Sequence, residues 1–433
     1  MHMKRKMDAE LLEWKNSPNR MPLILNGARQ VGKTYSLREF GKREYTDCVY
    51  ANLETNPALA ELFTSSLEPT RIINFLQTFT DQRIEPGRTL VILDEIQSCE
   101  HALTSLKYFR ERAPEYHIAT AGSLLGVAIN RERFSFPVGN VHTMTMHPLD
   151  FEEFLWTQGM EELGSSIRSH YETDEAMPLA LHERALELYR SYLIVGGMPA
   201  CIQTFIDTGT FREAPLAQNQ ILNDYIADMA KYATNTESVK IRAAFNSIPS
   251  QLAKENSKFQ YKTVRKGGTA AIFGASIEWL NFAGIVLKCR KTEQGRTPIA
   301  VYEDNSSFKL YMGDIGLLTM KSGLAPQTIL SPLEIDNTFL GALAENYVAT
   351  AFAAKGYPLF YWESKGLAEV DFVLQKGPVV IPVEVKAGVH TRSKSLNQFI
   401  QLYQPPYGIR LSGKNFGFGD KVKSVPLYAA FCV

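Results

Sequence analysis

Residues 27–34 read Gly27-Ala28-Arg29-Gln30-Val31-Gly32-Lys33-Thr34. The short apolar run 22–26 (PLILN) precedes them, and the spacing from Tyr35 to Arg43 predicts a helix after them. A strand, a G-x-x-x-x-G-K-T loop and a helix in that order form a phosphate-binding loop. Backbone N–H groups must approach a phosphate closely, and glycines permit this. The N-terminus of the following helix then faces the phosphates. Lys33 supplies positive charge to the β- and γ-phosphates, and the Thr34 hydroxyl can ligate Mg²⁺. Gly27 through Tyr35 are therefore the candidate nucleotide-binding residues, and ATP and Mg²⁺ the expected ligands.

About sixty residues downstream lies Leu90-Val91-Ile92-Leu93-Asp94-Glu95, an apolar run that ends in two carboxylates. A parallel strand buried on both faces reads this way. At its C-terminal end Asp94 can hold Mg²⁺ through water, and Glu95 can polarise the attacking water. Further strand-like runs occur at 48–53, 116–120 and 141–146, mostly separated by helical patterns. This alternation predicts an α/β fold with a doubly wound parallel sheet and ligands at the C-terminal ends of its strands. Ser123, after the fourth strand, either senses the γ-phosphate and orients water or is an ordinary loop serine. Arg131 and Arg133 are candidates for an arginine finger reaching a neighbouring subunit, or are simply solvated.

Six stretches carry a family resemblance: GARQVGKT (27–34), ILDEIQ (92–97), HPLDFEEFL (147–155), YLIVGGMP (192–199), KLYMGDIGLL (309–318) and GALAENYV (341–348). Together they resemble the AAA+-type ATPase family, common in bacteria and archaea, whose C-terminal half is an uncharacterised domain. The resemblance implies a P-loop ATPase core followed by a small helical lid over the nucleotide. The family usually shows Gly-Arg where this chain has Gly139-Asn140, or a related Pro-Val-Gly form as in Pro137-Val138-Gly139, and the arginine is missing from that position here. Such ATPases often assemble as rings. A homo-oligomer and a monomeric switch both stay open.

The chain has 433 residues, enough for about three domains, with 45% hydrophobic and 21% charged residues. That composition excludes wholesale disorder. No apolar run of 18 residues is present, and the start MHMKRKMDAELLEW lacks a signal-peptide core, so neither a membrane span nor secretion is expected. Five cysteines without paired spacing suggest free thiols of a cytoplasmic protein, and no Cys/His cluster has zinc-site spacing. The net charge of zero conceals an uneven distribution. Residues 150–190 carry −7, residues 231–300 carry +8 and residues 384–433 carry +5.

Residues 148–235 show helical spacing, broken at Gly196-Gly197-Met198-Pro199. From 237 to 300 the pattern is helix 238–253, a basic stretch, helix 270–283 and strand 285–291. This order suggests a winged helix in which Lys258, Lys262, Arg265, Lys266, Lys288, Arg290 and Lys291 contact DNA phosphates. The alternative is a packing unit with a solvated basic face.

Near the C-terminus, Asp371 lies in the strand-like AEVDFVL (368–374). Twelve residues intervene before Glu384-Val385-Lys386. Period-two geometry puts Glu384 and Lys386 on one strand face, and Asp371 on an adjacent hairpin strand can reach it. Two carboxylates there can bind Mg²⁺, and the lysine can position water or stabilise developing phosphorane charge. Glu345, on a helix over 341–355, could add a third carboxylate, and Gln398 or Gln401 could complete the site. The arrangement resembles the PD-(D/E)xK nuclease superfamily and its archaeal Holliday-junction-resolvase-like subset, implying a restriction-endonuclease-like α/β domain that acts on DNA. A fold of this kind that binds without cutting is the alternative. The expected division is an ATPase core at 1–147, a lid at 148–235, a winged-helix-like segment at 236–304 and a nuclease-like domain at 305–433.

Overall fold

The computed structural model describes residues 3–123, 137–254, 257–330, 338–364, 368–388 and 394–433. It divides into two compact units: residues 4–147 with 282–284, and residues 148–281 with 285–433 and Met3.

In the first unit α1 (Met7–Asn16) leads to β1 (Leu23–Asn26), α2 (Lys33–Glu44) and β2 (Asp47–Asn52). Next come α3 (Pro57–Ser65), α4 (Pro69–Thr80), β3 (Thr89–Asp94), α5 (Glu100–Arg112), β4 (His117–Ala121) and β5 (His142–Thr145). The five strands form one sheet in the order β2-β3-β4-β1-β5, and every pairing is parallel. This is the P-loop NTPase sheet expected from the sequence. Strand β3 is buried at every position, as a central strand with both faces covered must be. Leu103, Leu106 and Phe109 of α5 and Ile72, Ile73 and Leu76 of α4 belong to the same core as Val91 and Leu93 of β3. Each such apolar side chain contributes about 1.5–3 kcal/mol by leaving water.

The second unit begins with five helices, α6 (Phe151–Thr157), α7 (Glu161–Thr173), α8 (Leu179–Val195), α9 (Pro199–Thr208) and α10 (Ala214–Lys231). Then come α11 (Asn235–Leu252), α12 (Tyr261–Val264), α13 (Ala270–Phe282), β6 (Val286–Thr292), β7 (Glu303–Met312), α14 (Ile315–Ser322), α15 (Pro326–Leu330) and α16 (Thr338–Ala354). The remainder is β8 (Phe360–Ser364), β9 (Ala368–Val370), β10 (Phe372–Lys376), β11 (Val379–Val385), α17 (Lys394–Tyr403), β12 (Gly408–Ser412), β13 (Gly417–Gly419) and β14 (Val422–Pro426). These strands make a four-stranded sheet, β7-β6-β8-β9, and a five-stranded sheet, β10-β11-β12-β14-β13.

The expected helix–helix–strand order of a winged helix is present, but its strand is not a free wing. Strand β6 pairs antiparallel with β7 on one side and parallel with β8 on the other, with Arg290 opposite Phe360. A boundary at 304/305 therefore falls inside β7. By contacts, the segments expected as separate domains at 148–235, 236–304 and 305–433 belong to one compact unit, apart from residues 282–284.

Four of the six family-like stretches meet in one hydrogen-bonded junction. Asp150 and Glu153 form a capping box at the start of α6, each side chain accepting from the other's backbone N–H at 3.0 and 2.9 Å. Leu149 N–H donates to Gly197 O at 2.7 Å, and Tyr192 OH donates to Leu149 O at 2.6 Å. Gly197 N–H donates to the Asp314 carboxylate at 2.6 Å, and that carboxylate also caps α14 through Leu317 N–H at 2.9 Å. Burial pushes the Asp314 carboxyl up to about 6. Asn346 of α16 closes both backbone groups of Met312, at 2.7 and 3.0 Å. These polar residues serve the backbone and fix β7 against α16. Among the described residues no helix is long and apolar enough to cross a membrane. All five cysteines are free thiols.

Candidate functional sites

The phosphate loop connects β1 to α2. Gly32 caps α2 in the left-handed region at φ 98°. Gly27 sits at φ +139°, where an added Cβ would meet Met146 O at 2.2 Å. The loop's shape thus depends on glycine at both ends. Arg5, almost fully buried, donates to Val31 O at 3.0 Å and to His147 O at 2.6 Å, bracing the loop from behind. Lys33 Nζ donates to Gly27 O at 2.9 Å and to Ala28 O at 2.7 Å. Thr34 Oγ1 donates to Asp94 Oδ2 at 2.9 Å. The same carboxylate oxygen accepts from Tyr50 OH at 2.8 Å, and Asp94 Oδ1 accepts from Glu95 N–H at 3.0 Å.

A cavity of about 270 Å³ opens over these groups, lined by Arg29, Gln30, Gly32, Lys33, Thr34, Tyr35, Asp94, Glu95, Gly122 and Ser123. It brings together the loop, the carboxylates at the end of β3 and the serine after β4, as the sequence predicts. Ala28 and Val31 are buried instead. Thr34 and Asp94 offer two adjacent oxygen donors at the mouth of the loop. This suits Mg²⁺, which usually takes one or two protein oxygens beside water and phosphate. Glu95 stands in the left-handed region at φ 52°, ψ 46°, and Gln97 Nε2 donates to its carboxylate. Burial raises the Glu95 carboxyl above its ordinary range, the Gln97 donor opposes this, and the like charges of Asp94 and Glu54 add to it. Tyr50, Gln97 and Arg5 were not singled out by sequence reasoning. Gln97 had a signal, since it falls two residues after Glu95 in ILDEIQ. Arg131 and Arg133 lie outside the described residues.

The second site is in the other unit. Asp371 occupies the single position between β9 and β10, where the chain passes from the four-stranded to the five-stranded sheet. Its Oδ2 accepts from Val385 N–H at 2.7 Å. Strands β10 and β11 are the expected antiparallel hairpin, and Lys386 Nζ reaches Glu384 Oε1 at 2.7 Å. Glu384 Oε2 is buried with no hydrogen-bond partner among the described residues. Asp371, Glu384 and Lys386 are thus brought together.

The sequence announced Glu345 but not Lys309, Tyr311 or Glu369. Lys309 and Tyr311 project from β7, Lys309 being only 1% exposed. Lys309 Nζ lies 2.8 Å from Glu345 Oε1 and 2.6 Å from Glu369 Oε1, and Tyr311 OH donates to the same Glu345 oxygen. Burial opposes the charge on Lys309, but Glu345, Glu369 and Asp371 hold it well above the usual lysine range. Burial also opposes the charge on Lys386, which Glu384 and Asp371 raise. Asp371 is driven well above the carboxylate range by burial, with Glu345 and Glu384 adding to it and Lys309 and Lys386 opposing.

Glu345 was expected as a third metal carboxylate. Instead its Oε1 is engaged by Lys309 and Tyr311. Among the described residues no group of three His, Cys, Asp or Glu side chains is arranged to hold a metal ion. Asp371 and Glu384 remain as a carboxylate pair that fits Mg²⁺, because Glu384 keeps an oxygen without a partner. On α17 Gln398 is half-buried and Gln401 exposed, while the buried positions are Leu396 and Phe399.

The basic footprint of 258–291 is largely neutralised by nearby acids. Lys258 pairs with Glu363, Lys288 with Glu278 at 2.6 Å, Arg290 with Glu303 at 3.0 Å and Lys291 with Asp304 at 3.0 Å. Lys262, Arg265 and Lys266 are exposed around α12.

Comparison with protein families matches residues 19–155 to an AAA domain. Residues 186–328 and 340–430 match two domains of unknown function, DUF8612 and DUF4143. Among curated proteins no match is found. Solved structures similar to the chain include the Walker-type ATPase PABY2304 of Pyrococcus abyssi, at 16% identity and TM-score 0.45, covering 74% of this chain and 96% of that one. The ORC1 protein of Aeropyrum pernix in complex with DNA is 12% identical at TM-score 0.28, covering 74% and 91%. AMPPCP-bound DnaA from Aquifex aeolicus is 13% identical at TM-score 0.29, covering 65% and 89%. The AAA-domain match at residues 19–155 falls on the parallel sheet of a P-loop NTPase fold.

Proposed function

We propose that this chain is a Mg²⁺-dependent ATPase whose nucleotide state governs a C-terminal, nuclease-like domain that acts on DNA. The observation that carries the reading is the convergence of Lys33, Thr34, Asp94 and Glu95 on one cavity, with Thr34 and Asp94 in direct contact. Lys33 holds the β- and γ-phosphates. Thr34 and Asp94 hold Mg²⁺, which when bound neutralises charge on the phosphates. Glu95 polarises the attacking water, and Ser123 faces the terminal phosphate. In the C-terminal domain Asp371 and Glu384 hold a second Mg²⁺ and Lys386 orients water for phosphodiester cleavage. Lys262, Arg265 and Lys266 supply the exposed charge for the DNA backbone. The test is ATP turnover by the wild type beside Lys33→Ala. Loss of turnover in the variant is expected, and normal hydrolysis would contradict the assignment.

A second reading has its own support. Lys309 sits inside the carboxylate cluster and engages two of its members, as a structural cation would. On this reading the protein is an ATP-dependent switch whose C-terminal domain binds DNA or a protein partner without cutting. Metal-dependent cleavage that requires Asp371 favours the first reading. Binding without cleavage favours the second.

A further inference from the structure

Gln97 is a buried polar side chain beside Glu95, which lines the phosphate-loop cavity. It lies on the short 3₁₀ turn Ile96–Ser98, which Ile96 anchors in the core of the first unit. One end of its amide donates to the Glu95 carboxylate. The other end, Oε1, is buried with no hydrogen-bond partner among the described residues. A buried amide with an unmet acceptor weakens a fold. Stability therefore does not account for a glutamine here. Glu95 stands in the left-handed region at the mouth of the cavity, where Asp94 and Glu54 repel its carboxylate and Lys33 attracts it. An untethered Glu95 side chain would be free to turn among these charges, and the Gln97 N–H fixes one orientation of its carboxylate.

We propose that Gln97 is a positioning residue for ATP hydrolysis: its amide N–H fixes the Glu95 carboxylate at the phosphate-loop cavity, where that carboxylate meets the attacking water. The proposal rests on the ATPase reading of this site. In the reaction the water oxygen bonds to the γ-phosphorus as the β–γ bridging bond breaks. The water proton passes to Glu95, and ADP and phosphate leave. Gln97 touches neither nucleotide nor water, so its loss reduces the rate and leaves nucleotide affinity intact.

The experiment compares steady-state ATP turnover, N-methylanthraniloyl-ATP binding and thermal melting in the wild type, Gln97→Met, Gln97→Glu and Glu95→Gln. Gln97→Met keeps the volume and removes the donor. Gln97→Glu keeps the shape and adds a third like charge. Both are expected to lower kcat by about tenfold or more, with KM and analogue affinity within about twofold and melting temperatures close to wild type. Wild-type kcat in Gln97→Met, while Glu95→Gln is inactive, overturns the proposal and leaves the ATPase reading standing. Equal losses of kcat and analogue affinity also overturn it, since they show a role in shaping the pocket. Wild-type turnover in Glu95→Gln, or none in the wild type, overturns the reading of the site and the proposal with it.

Discussion

The phosphate loop and the carboxylate–lysine cluster each hold a buried lysine against oxygen atoms, but the two lysines differ in what holds them. Lys33 leans on two carbonyls of its own loop, at the wall of a cavity that a ligand can enter. Lys309 is enclosed between Glu345 and Glu369, contributed by other elements. The first lysine is placed by a contiguous motif and faces space. The second is placed by tertiary packing and faces protein. Similar side chains at similar burial therefore have different consequences when removed.

The sharpest contrast is expected from truncating each lysine. Lys33→Ala should reduce ATP turnover by more than about a hundredfold, because the charge that meets the phosphates is gone. Its stability should change by less than about 1 kcal/mol. A turnover assay beside a thermal melt checks both. A variant that unfolds would erase the distinction between the sites.

Lys309→Met should do the reverse and destabilise the fold by about 3–5 kcal/mol, because it leaves Glu345 and Glu369 without their cation. Urea unfolding measures the loss. Adding Glu345→Gln should recover part of it, and strictly additive effects would show that the pair is not coupled.

Asp314 sharpens the comparison from a third position, because its buried carboxylate is met by backbone N–H groups where Glu345 is met by a lysine. Its folded value near 6 lies above the ordinary 3.8. Its contribution to stability is therefore complete below about pH 4 and is lost as the pH rises through 6. Two units correspond to about 3 kcal/mol, the lower end of the loss expected for Lys309→Met. Unfolding free energies at pH 4, 5, 6 and 7 should fall more steeply in the wild type than in Asp314→Asn. Parallel slopes would contradict the assignment.

The first site was legible in the sequence because its parts are local. Eight consecutive residues make the loop, and one apolar run ending in Asp94 and Glu95 makes β3 and its carboxylates. What escaped was the bracing by Arg5, Tyr50 and Gln97, which depends on how the chain packs. Only half of the second site was legible. Asp371 immediately precedes the β10–β11 hairpin, Glu384 lies near its end and Lys386 follows it, so short-range spacing brings them together. Lys309 and Tyr311 come from β7, more than thirty residues before Glu345. They fall in the family-like stretch KLYMGDIGLL, but the alternation Lys309-x-Tyr311 is shared by any half-buried strand and does not point to Glu345. The boundary at 304/305 misplaced a strand for the same reason. Nothing near Arg290 shows that its strand pairs with one seventy residues later. The basic stretch read as a DNA footprint because three of its neutralising acids, Glu303, Asp304 and Glu363, lie beyond residue 300.

The most direct test of the central claim, an ATPase site coupled to a DNA-acting site, is cleavage of branched, linear and plasmid DNA. It would use Mg²⁺ or Mn²⁺, with and without ATP, and Asp371→Ala beside the wild type. The account predicts metal-dependent cleavage that ATP modulates and the variant loses. Absence of cleavage on every substrate would contradict it, and so would cleavage retained by Asp371→Ala.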